Sequence, residues 1–270
     1  MNTESAQPDR NGVIAFLHIP KTAGTTLNSI LARQYLPHET HEIMMRGMSW
    51  LVPGPAIVPR PLIAFSKIRR LKSALKGGRK VRIVHGHFDL SIRKALPADA
   101  RLFTLLRDPV ERAISHYYHY RRQTSDPIHA LAMRSTLTEW VGACGLVEMD
   151  NGQTRRLAGE MNLPCGCVTP GMLDRAKSNL ARYFAVVGLT ERFEESLVLL
   201  RREFNWPQAR FPARNVGEDR PRRGEVGADA LRAIENLNRF DLNLYEFACD
   251  LFERAVSRID MAGELSRLKD

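Results

Sequence analysis

The sequence contains few cysteines and no long apolar segment. Four cysteines among 270 residues are too few for a disulfide framework, which excludes the small disulfide-stapled scaffolds of secreted proteins. No stretch approaches the roughly 18 consecutive apolar residues that a transmembrane helix needs. N-glycosylation sites of the type Asn-x-Ser/Thr are absent, and residues 1–12 lack the basic and apolar regions of a secretory signal. We therefore expect a protein of the reducing cytoplasm, with a disordered tail over residues 1–12.

Acidic residues are scarce relative to basic ones. Forty lysines and arginines stand against 30 aspartates and glutamates, a formal net charge of +10, and this surplus indicates an anionic partner. Charge alone leaves nucleotide, sulfated glycan, nucleic acid and anionic lipid as alternatives. The densest run, Lys67–Arg82, holds eight basic residues and no acid. It is typical of a solvated basic face, and it could also guide an anionic acceptor or make peripheral contact with an anionic membrane.

Short apolar segments alternate with segments of helical periodicity. Nearly continuous apolar runs, typical of strands buried in a parallel sheet, occur at 13–19, 81–84, 101–106 and 184–189. Helices are predicted at 25–35, 65–75, 108–121, 137–143, 152–158, 172–181 and 191–204, with two or more over 228–268. The proline-rich segment 36–60 is predicted to be irregular, with room for one short helix. This alternation predicts an α/β fold in one P-loop-like domain, residues 13–270, whose central, mostly parallel sheet is flanked by helices.

The loop between the first predicted strand and helix has the composition of an anion-binding site. It reads Pro20-Lys21-Thr22-Ala23-Gly24-Thr25-Thr26. Small residues let backbone N–H groups converge on an anion, the helix N-terminus adds partial positive charge, and Lys21 adds a full one. The Walker A order Gly-x4-Gly-Lys-Ser/Thr is absent. We expect a phosphate or sulfate site here, the alternative being a plain strand–helix turn with a surface lysine.

A second anion site is predicted where the third strand meets the helix that follows Asp108. Arg107 ends the strand, and Ser115 lies two turns along the helix on nearly the same face as Asp108. Together they could grip one phosphate, with the arginine as a bidentate donor. Lys21 and Arg107 both fall at the carboxyl edge of the predicted sheet, where open α/β sheets bind ligands. The alternative is a surface ion pair between Arg107 and Asp108 or Glu111.

Two histidines follow the second predicted strand at the same edge. His85 and His87 are two residues apart, so in extended chain they point to the same side. An imidazole there could accept a proton from an attacking hydroxyl near neutral pH, the alternative being a hydrogen-bonded structural histidine. His116 and His119, on the helix after Asp108, are interpreted as surface or packing residues. No third ligand stands at metal-binding spacing, so we predict no metal.

Six segments resemble one enzyme family in the same order along most of the chain. FLHIPKTAGTTL (16–27), VHGHF (84–88) and LLRDPVERAISHYYHYRR (105–122) closely resemble carbohydrate sulfotransferases that use 3'-phosphoadenosine 5'-phosphosulfate (PAPS), in particular the heparan sulfate and dermatan uronosyl 2-O-sulfotransferases and their bacterial relatives. NGQTRRLAG (151–159), FAVVGLTERFEESLVLLRREFNW (184–206) and DLNLYEFACDLF (241–252) also resemble that family.

The resemblance implies a sulfotransferase fold and a co-substrate. PAPS would donate its sulfuryl group to a hydroxyl of a carbohydrate or glycan-like acceptor, with no metal. Residues 21–26 would bind the 5'-phosphosulfate, and Arg107 and Ser115 the 3'-phosphate. His87 matches the general base, His85 the histidine that accompanies it, and Lys21 would also stabilise charge during transfer. The arginine-rich loop 210–227 would close over the nucleotide.

Two other functions fit parts of the sequence. A P-loop phosphotransferase would depend on ATP and Mg²⁺, but the Walker A loop and a clear strand-end aspartate for Mg²⁺ are missing. A basic, non-enzymatic nucleic-acid-binding protein would fit the charge, yet no helix-turn-helix, zinc-finger or aromatic RNA-binding motif is present. We therefore predict a sulfotransferase without a nucleic-acid partner.

Overall fold

A computed structural model describes residues 12–43, 60–76, 80–126, 128–143, 146–207 and 220–269. Within these ranges the chain forms five strands and eleven α-helices, with three short 3-10 helices between them. The strands are β1 (Ile14–Leu17), β2 (Thr40–Ile43), β3 (Ile83–Gly86), β4 (Arg101–Leu106) and β5 (Phe184–Leu189). The helices are α1 (Gly24–Gln34), α2 (Arg60–Lys76), α3 (Pro109–Arg122), α4 (His129–Arg134), α5 (Leu137–Ala143), α6 (Gly152–Ala158), α7 (Pro170–Tyr183), α8 (Phe193–Phe204), α9 (Ala228–Leu237), α10 (Arg239–Val256) and α11 (Met261–Lys269).

The five strands form one parallel sheet in the order β2-β3-β1-β4-β5. The central strand β1 pairs in register with both neighbours, so that Phe16 lies beside His85 of β3 and Phe103 of β4. Helices α7, α8 and α10 pack against β5. Because every pair is parallel, the carboxyl ends of all strands share one edge, where ligands of such sheets bind. The predicted α/β class with a parallel sheet flanked by helices is confirmed.

An aromatic cluster joins the sheet to the ends of two helices. Phe16 stacks on Phe103 with ring centroids 4.8 Å apart, and Phe103 packs against Phe204 and Trp206 just after α8. The Trp206 indole N–H donates a 2.9 Å hydrogen bond to the hydroxyl of Tyr35, which follows α1. Burial raises the pKa of Tyr35 to about 12. This cluster fixes α1, and with it the loop before α1, relative to the sheet.

A second apolar cluster lies away from the sheet. Helices α3, α4, α5 and α9 pack around the buried Trp140, with Val110 and Ile114 of α3 and Ile234 of α9 among its neighbours. The start of α3 is fixed by Asp108, whose carboxylate accepts a 2.9 Å hydrogen bond from the amide of residue 111. Thus α3 has one apolar face on this cluster and another face free to carry polar groups toward the sheet edge.

The structure differs from the predicted elements in a few places. The segment predicted as irregular contains β2, and α4 was not predicted at all. In β2 only Ile43 is buried, because an edge strand pairs on one side and need not be apolar. With six residues, α4 is too short for a helical period to show. The predicted tail lies outside the described residues except for Gly12, as do residues 44–59. No described helix is both long and apolar enough to cross a bilayer.

Candidate active site

Three chain segments meet at the carboxyl edge of the sheet. The Arg107 guanidinium, at the end of β4, donates a 3.0 Å hydrogen bond through Nη1 to the carbonyl of Lys21 in the loop after β1. His87, just after β3, makes a 3.0 Å hydrogen bond through Nδ1 to the carbonyl of His18 in the same loop. The structure therefore brings together Lys21, Arg107 and His87, which the sequence places far apart.

The loop after β1 has a backbone shape suited to anions. Lys21 and Ala23 have positive φ angles of 70° and 61°, a conformation that residues with a side chain seldom adopt and that clusters at functional sites. Such alternating left-handed residues turn successive N–H groups to one side. Thr22 between them is buried and donates a 2.8 Å hydrogen bond to the carbonyl of Ile19. Ala23 is the N-cap of α1 and offers no side-chain acceptor, so the amides of the first turn can bind a ligand.

Gly24 and His18 fit together at the base of this loop. A Cβ added at Gly24 would lie 1.6 Å from Nε2 of His18, so the close approach requires glycine. The His18 ring stacks on Phe16, 5.2 Å between centroids, and lies 4.2 Å from the ring of His87. Burial, and next the neighbouring His87, hold the pKa of His18 well below its ordinary value. The anion-binding loop and the candidate base are thus in contact through one uncharged imidazole.

Arg107 is fixed at both its main chain and its side chain. Its amide donates to Oε1 of Gln153 at 3.0 Å, and its carbonyl accepts from Nε2 of the same residue at 2.9 Å. The guanidinium also lies 3.5 Å from a carboxylate oxygen of Glu111 and 3.7 Å from one of Glu191. The ion pair with Glu111 that the sequence left open therefore exists, and its arginine is buried at 8% exposure while its glutamate is half-buried.

The electrostatics of the loop are dominated by positive charge. Burial, and next the cations of Arg107, Arg122 and Arg220, lower the pKa of Lys21 to about 8. At pH 7 Lys21 is still mostly protonated, so several cations share a small region that favours a polyanion. Arg220 belongs to the described end of the arginine-rich loop and pairs with Glu111 at 2.8 Å. Residues 208–219 of that loop lie outside the described residues.

The other histidines and the serine singled out on α3 differ in burial, since Ser115 and His116 are buried and His119 is half-buried. Ser115 lies on the same helix as His116, which is 3% exposed and packs against Tyr120 with ring centroids 5.5 Å apart. Among the described residues neither ring nitrogen of His116 has a hydrogen-bond partner. Burial holds its pKa well below the ordinary value, and burial followed by Lys21 lowers that of His119 to about 4. His116 is therefore a packing residue, as predicted.

His87 and His85 occupy different environments. A carbonyl can only accept, so Nδ1 of His87 carries the proton and Nε2 keeps a lone pair. Burial, and next Arg156, lower the pKa of His87. His85 lies within β3, beside Glu42 of β2, and burial lowers its pKa too. Its Nδ1 has no hydrogen-bond partner within the described residues. The loop after β1 therefore meets His87, while His85 lies inside the sheet.

Comparison with known proteins identifies the family of this site. The model of the galactose-3-O-sulfotransferase family matches residues 2–270. The chain belongs to this family. The predicted class of carbohydrate sulfotransferases is thereby confirmed.

Two individual proteins to which this chain is similar are heparan-sulfate 6-O-sulfotransferases. Human heparan-sulfate 6-O-sulfotransferase 1 is 30% identical over 285 residues, covering 90% of this chain and 66% of that protein. Human heparan-sulfate 6-O-sulfotransferase 2 is 28% identical over 281 residues, covering 89% and 44%. The chain thus spans less than two thirds of the length of these relatives. Mouse sulfotransferase SULT7A1, solved in complex with PAP, aligns with a TM-score of 0.35 and 14% identity over 90% of this chain and 72% of that one.

Sequence reasoning missed several residues that build the site of this family member. It assigned no role to His18 or Gln153, nor to Arg156 and Glu148 beside His87. A run rich in polar residues around α6 contains Glu148, Gln153 and Arg156 and is a local signal, but it does not show what these side chains contact. All seven residues of α6 are buried, and a helix that buries so many polar side chains must supply partners for them. The described residues hold no cluster of three His, Cys, Asp or Glu side chains placed to bind a metal.

Proposed function

We propose that this chain transfers the sulfuryl group of PAPS to a hydroxyl of a carbohydrate or glycan-like acceptor. One observation carries the proposal, the 3.0 Å hydrogen bond from Arg107 Nη1 to the Lys21 carbonyl. It puts the anion-binding loop and the strand-end arginine at one rim of the sheet. A nucleotide with phosphate groups at both its 5' and 3' positions needs two neighbouring anion sites. The family membership and the names of the heparan-sulfate relatives support a carbohydrate acceptor.

The donor is held by the two anion sites. The amides and hydroxyls of residues 22–26, together with Lys21, bind the 5'-phosphosulfate, since α1 begins there with unpaired N–H groups. Arg107 and Ser115 bind the 3'-phosphate. Arg107 reaches that phosphate by exchanging the carboxylates of Glu111 and Glu191 for it, an exchange between charged partners of similar geometry.

The reaction is a single in-line displacement. The acceptor oxygen forms a bond to sulfur while the bond from sulfur to the 5'-phosphate oxygen breaks. Nε2 of His87 accepts the hydroxyl proton, since Nδ1 is already engaged with the His18 carbonyl. Lys21 and the loop amides stabilise the charge that develops on the leaving phosphate and the sulfuryl oxygens. The products are the sulfated acceptor and 3'-phosphoadenosine 5'-phosphate (PAP).

Positive charge outside the site would favour an anionic acceptor. Helix α2 exposes Arg69, Arg70, Lys72 and Lys76, and such a row attracts polyanions at long range. We assign this row to acceptor guidance, with contact to an anionic membrane as the alternative use.

A ligand-dependent thermal shift separates the candidate functions. We expect PAP to raise the melting temperature of the full chain, whereas ATP with Mg²⁺ and duplex DNA leave it unchanged. The double variant Lys21→Ala/Arg107→Ala should lose the PAP shift, and Arg175→Ala, which removes an exposed cation paired with Glu160, should keep it. Transfer of radiolabelled sulfuryl from PAPS to a panel of glycans then identifies the acceptor. A shift with ATP and Mg²⁺ but not PAP would make the chain a phosphotransferase, and a shift with DNA alone would make it a nucleic-acid-binding protein.

A further inference from the structure

A buried arginine on α6 holds the chain segment that carries His87. Arg156 is 2% exposed, and its Nη1 donates a 3.2 Å hydrogen bond to the carbonyl of Phe88, the residue after His87. One residue further on, the Asp89 carboxylate accepts a 3.3 Å hydrogen bond from the amide of Met161, beyond the end of α6. The two residues after His87 are therefore held in turn, Phe88 by α6 and Asp89 by the chain just beyond α6.

The cation of Arg156 is itself held in place. Its Nη2 pairs with a carboxylate oxygen of Glu148. The other oxygen of Glu148 lies 3.6 Å from Arg112, and Arg112 also donates to the Glu148 main-chain carbonyl and lies 3.7 Å from Asp241. All four side chains are buried. Desolvation offsets much of the attraction in such a network, so stability alone is a weak reason for a protein to bury it beside a catalytic centre.

We propose that Arg156 is a positioning residue for His87, fixing the carbonyl of Phe88 and keeping a permanent positive charge at that carbonyl, one residue after His87 in sequence. The proposal rests on the function proposed above, in which His87 accepts the acceptor proton. Arg156 touches Phe88 and Glu148 and acts on the reaction through His87.

Charged and titratable groups face His87 from several elements. His18 lies in the loop after β1, Glu42 on β2, Glu148 on the turn before α6, and Arg156 on α6. Burial has the largest effect on the pKa of His87 and lowers it, Arg156 comes next and also lowers it, and Glu148 and Glu42 raise it. Without Arg156 the effect of the two carboxylates on the pKa of His87 is no longer offset by that cation. The protonated imidazole then becomes more favourable, and less of the base is available below neutral pH.

A histidine titration in the intact, nucleotide-free chain tests this role. The His87 ring signals are followed by NMR against pH and assigned with His87→Asn. In Arg156→Gln we expect the midpoint of the His87 titration to move upward, and in Arg156→Lys to stay near that of the unaltered protein, since lysine retains the charge. The acid limb of kcat/KM should move in the same direction as the midpoint. In Arg156→Gln, kcat should fall by roughly 10- to 100-fold because the base is misplaced, with little change in the KM for PAPS.

The neighbouring arginine is a matched control. Arg155 is on the same helix and fully buried, but it pairs with Asp150 and donates to the carbonyls of residues 163 and 164. Arg155→Gln should lower the melting temperature without moving the His87 midpoint. If Arg156→Gln does not fold, Arg156→Gln/Glu148→Gln removes both charges and should still give an upward, though smaller, displacement.

Two results would overturn the proposal. One is an unchanged His87 midpoint in Arg156→Gln or, if only the double variant folds, in that variant. The other is an equal displacement in Arg155→Gln. The titration needs neither PAPS nor acceptor, so it stands even if the unaltered chain transfers no sulfuryl group. That failure would instead count against the function proposed above.

Discussion

At the scale of single residues, the tautomer of His87 is fixed by the loop after β1, which we propose also binds the donor. The His18 carbonyl accepts a hydrogen bond from Nδ1–H of His87, and the His18 ring lies 4.2 Å from that of His87. Because His18 stays neutral, it adds no positive charge beside His87. The same loop, three residues later, supplies Lys21, which stays mostly cationic at pH 7 with its pKa lowered to about 8. The loop after β1 thus combines a carbonyl that fixes the tautomer of His87 with a lysine that is mostly charged at pH 7.

Replacement of His87 tests its role as the base. We expect His87→Ala to lose at least about 100-fold in kcat, since a general base contributes on the order of 10²–10⁴-fold, while the affinity for PAP measured by calorimetry stays near normal. Lys21→Ala should instead weaken PAP binding and lower the rate together, because we propose that Lys21 contacts the donor. The exposed His38 provides the control, and His38→Ala should change neither quantity. Near-normal turnover in His87→Ala would remove it from the mechanism.

At the scale of elements, the sequence predicted well those strands and helices whose signals are local. Strand β4 and helices α5 and α6 have the predicted bounds, and α3 begins at the N-cap that Asp108 indicates. The edge strand β2 could not be found, since its four residues form no apolar run and only Ile43 among them is buried. Arg156 and Glu148 could not be assigned to the site either, because their burial beside His87 depends on how α6 docks and not on their own neighbours in sequence.

The start of α1 packs closely against His18, which follows β1, so a substitution of Gly24 tests whether this contact is needed for binding. Gly24→Ala would place a methyl group 1.6 Å from His18 Nε2, so the ring of His18 or the start of α1 must shift. We expect loss of the PAP-dependent thermal shift and roughly 100-fold lower turnover, as for a misplacement of about 1 Å at a reacting centre. Gly171→Ala is the matched control, because a methyl group there meets no atom closer than 4.0 Å. Equal PAP binding in the two variants would contradict this account.

At the scale of the whole molecule, several histidines are buried in a chain of net charge +10. The pKa is lowered mainly by burial at His18, His85, His87, His116 and His119. In the unfolded chain these groups gain protons as the pH falls below about 6.5, whereas in the folded chain they stay neutral to lower pH. Between those two pKa values the unfolded state binds more protons, so the free energy of unfolding decreases as the pH falls. The resulting loss of stability starts near pH 6.5.

His116 isolates one part of this pH dependence, because both its ring nitrogens lack a partner among the described residues. We expect His116→Phe to be about as stable as the unaltered protein at pH 7.5, since an apolar ring replaces an unsatisfied polar one. Below pH 6.5 its free energy of unfolding should fall less steeply, by about 1.4 kcal/mol per pH unit, the contribution of one proton. Urea denaturation at pH 7.5, 6.0 and 5.0 measures the difference, with His38→Phe as the exposed control. An unchanged slope would mean that His116 takes up its proton in the folded state, which requires a partner or a water-filled space beside α3.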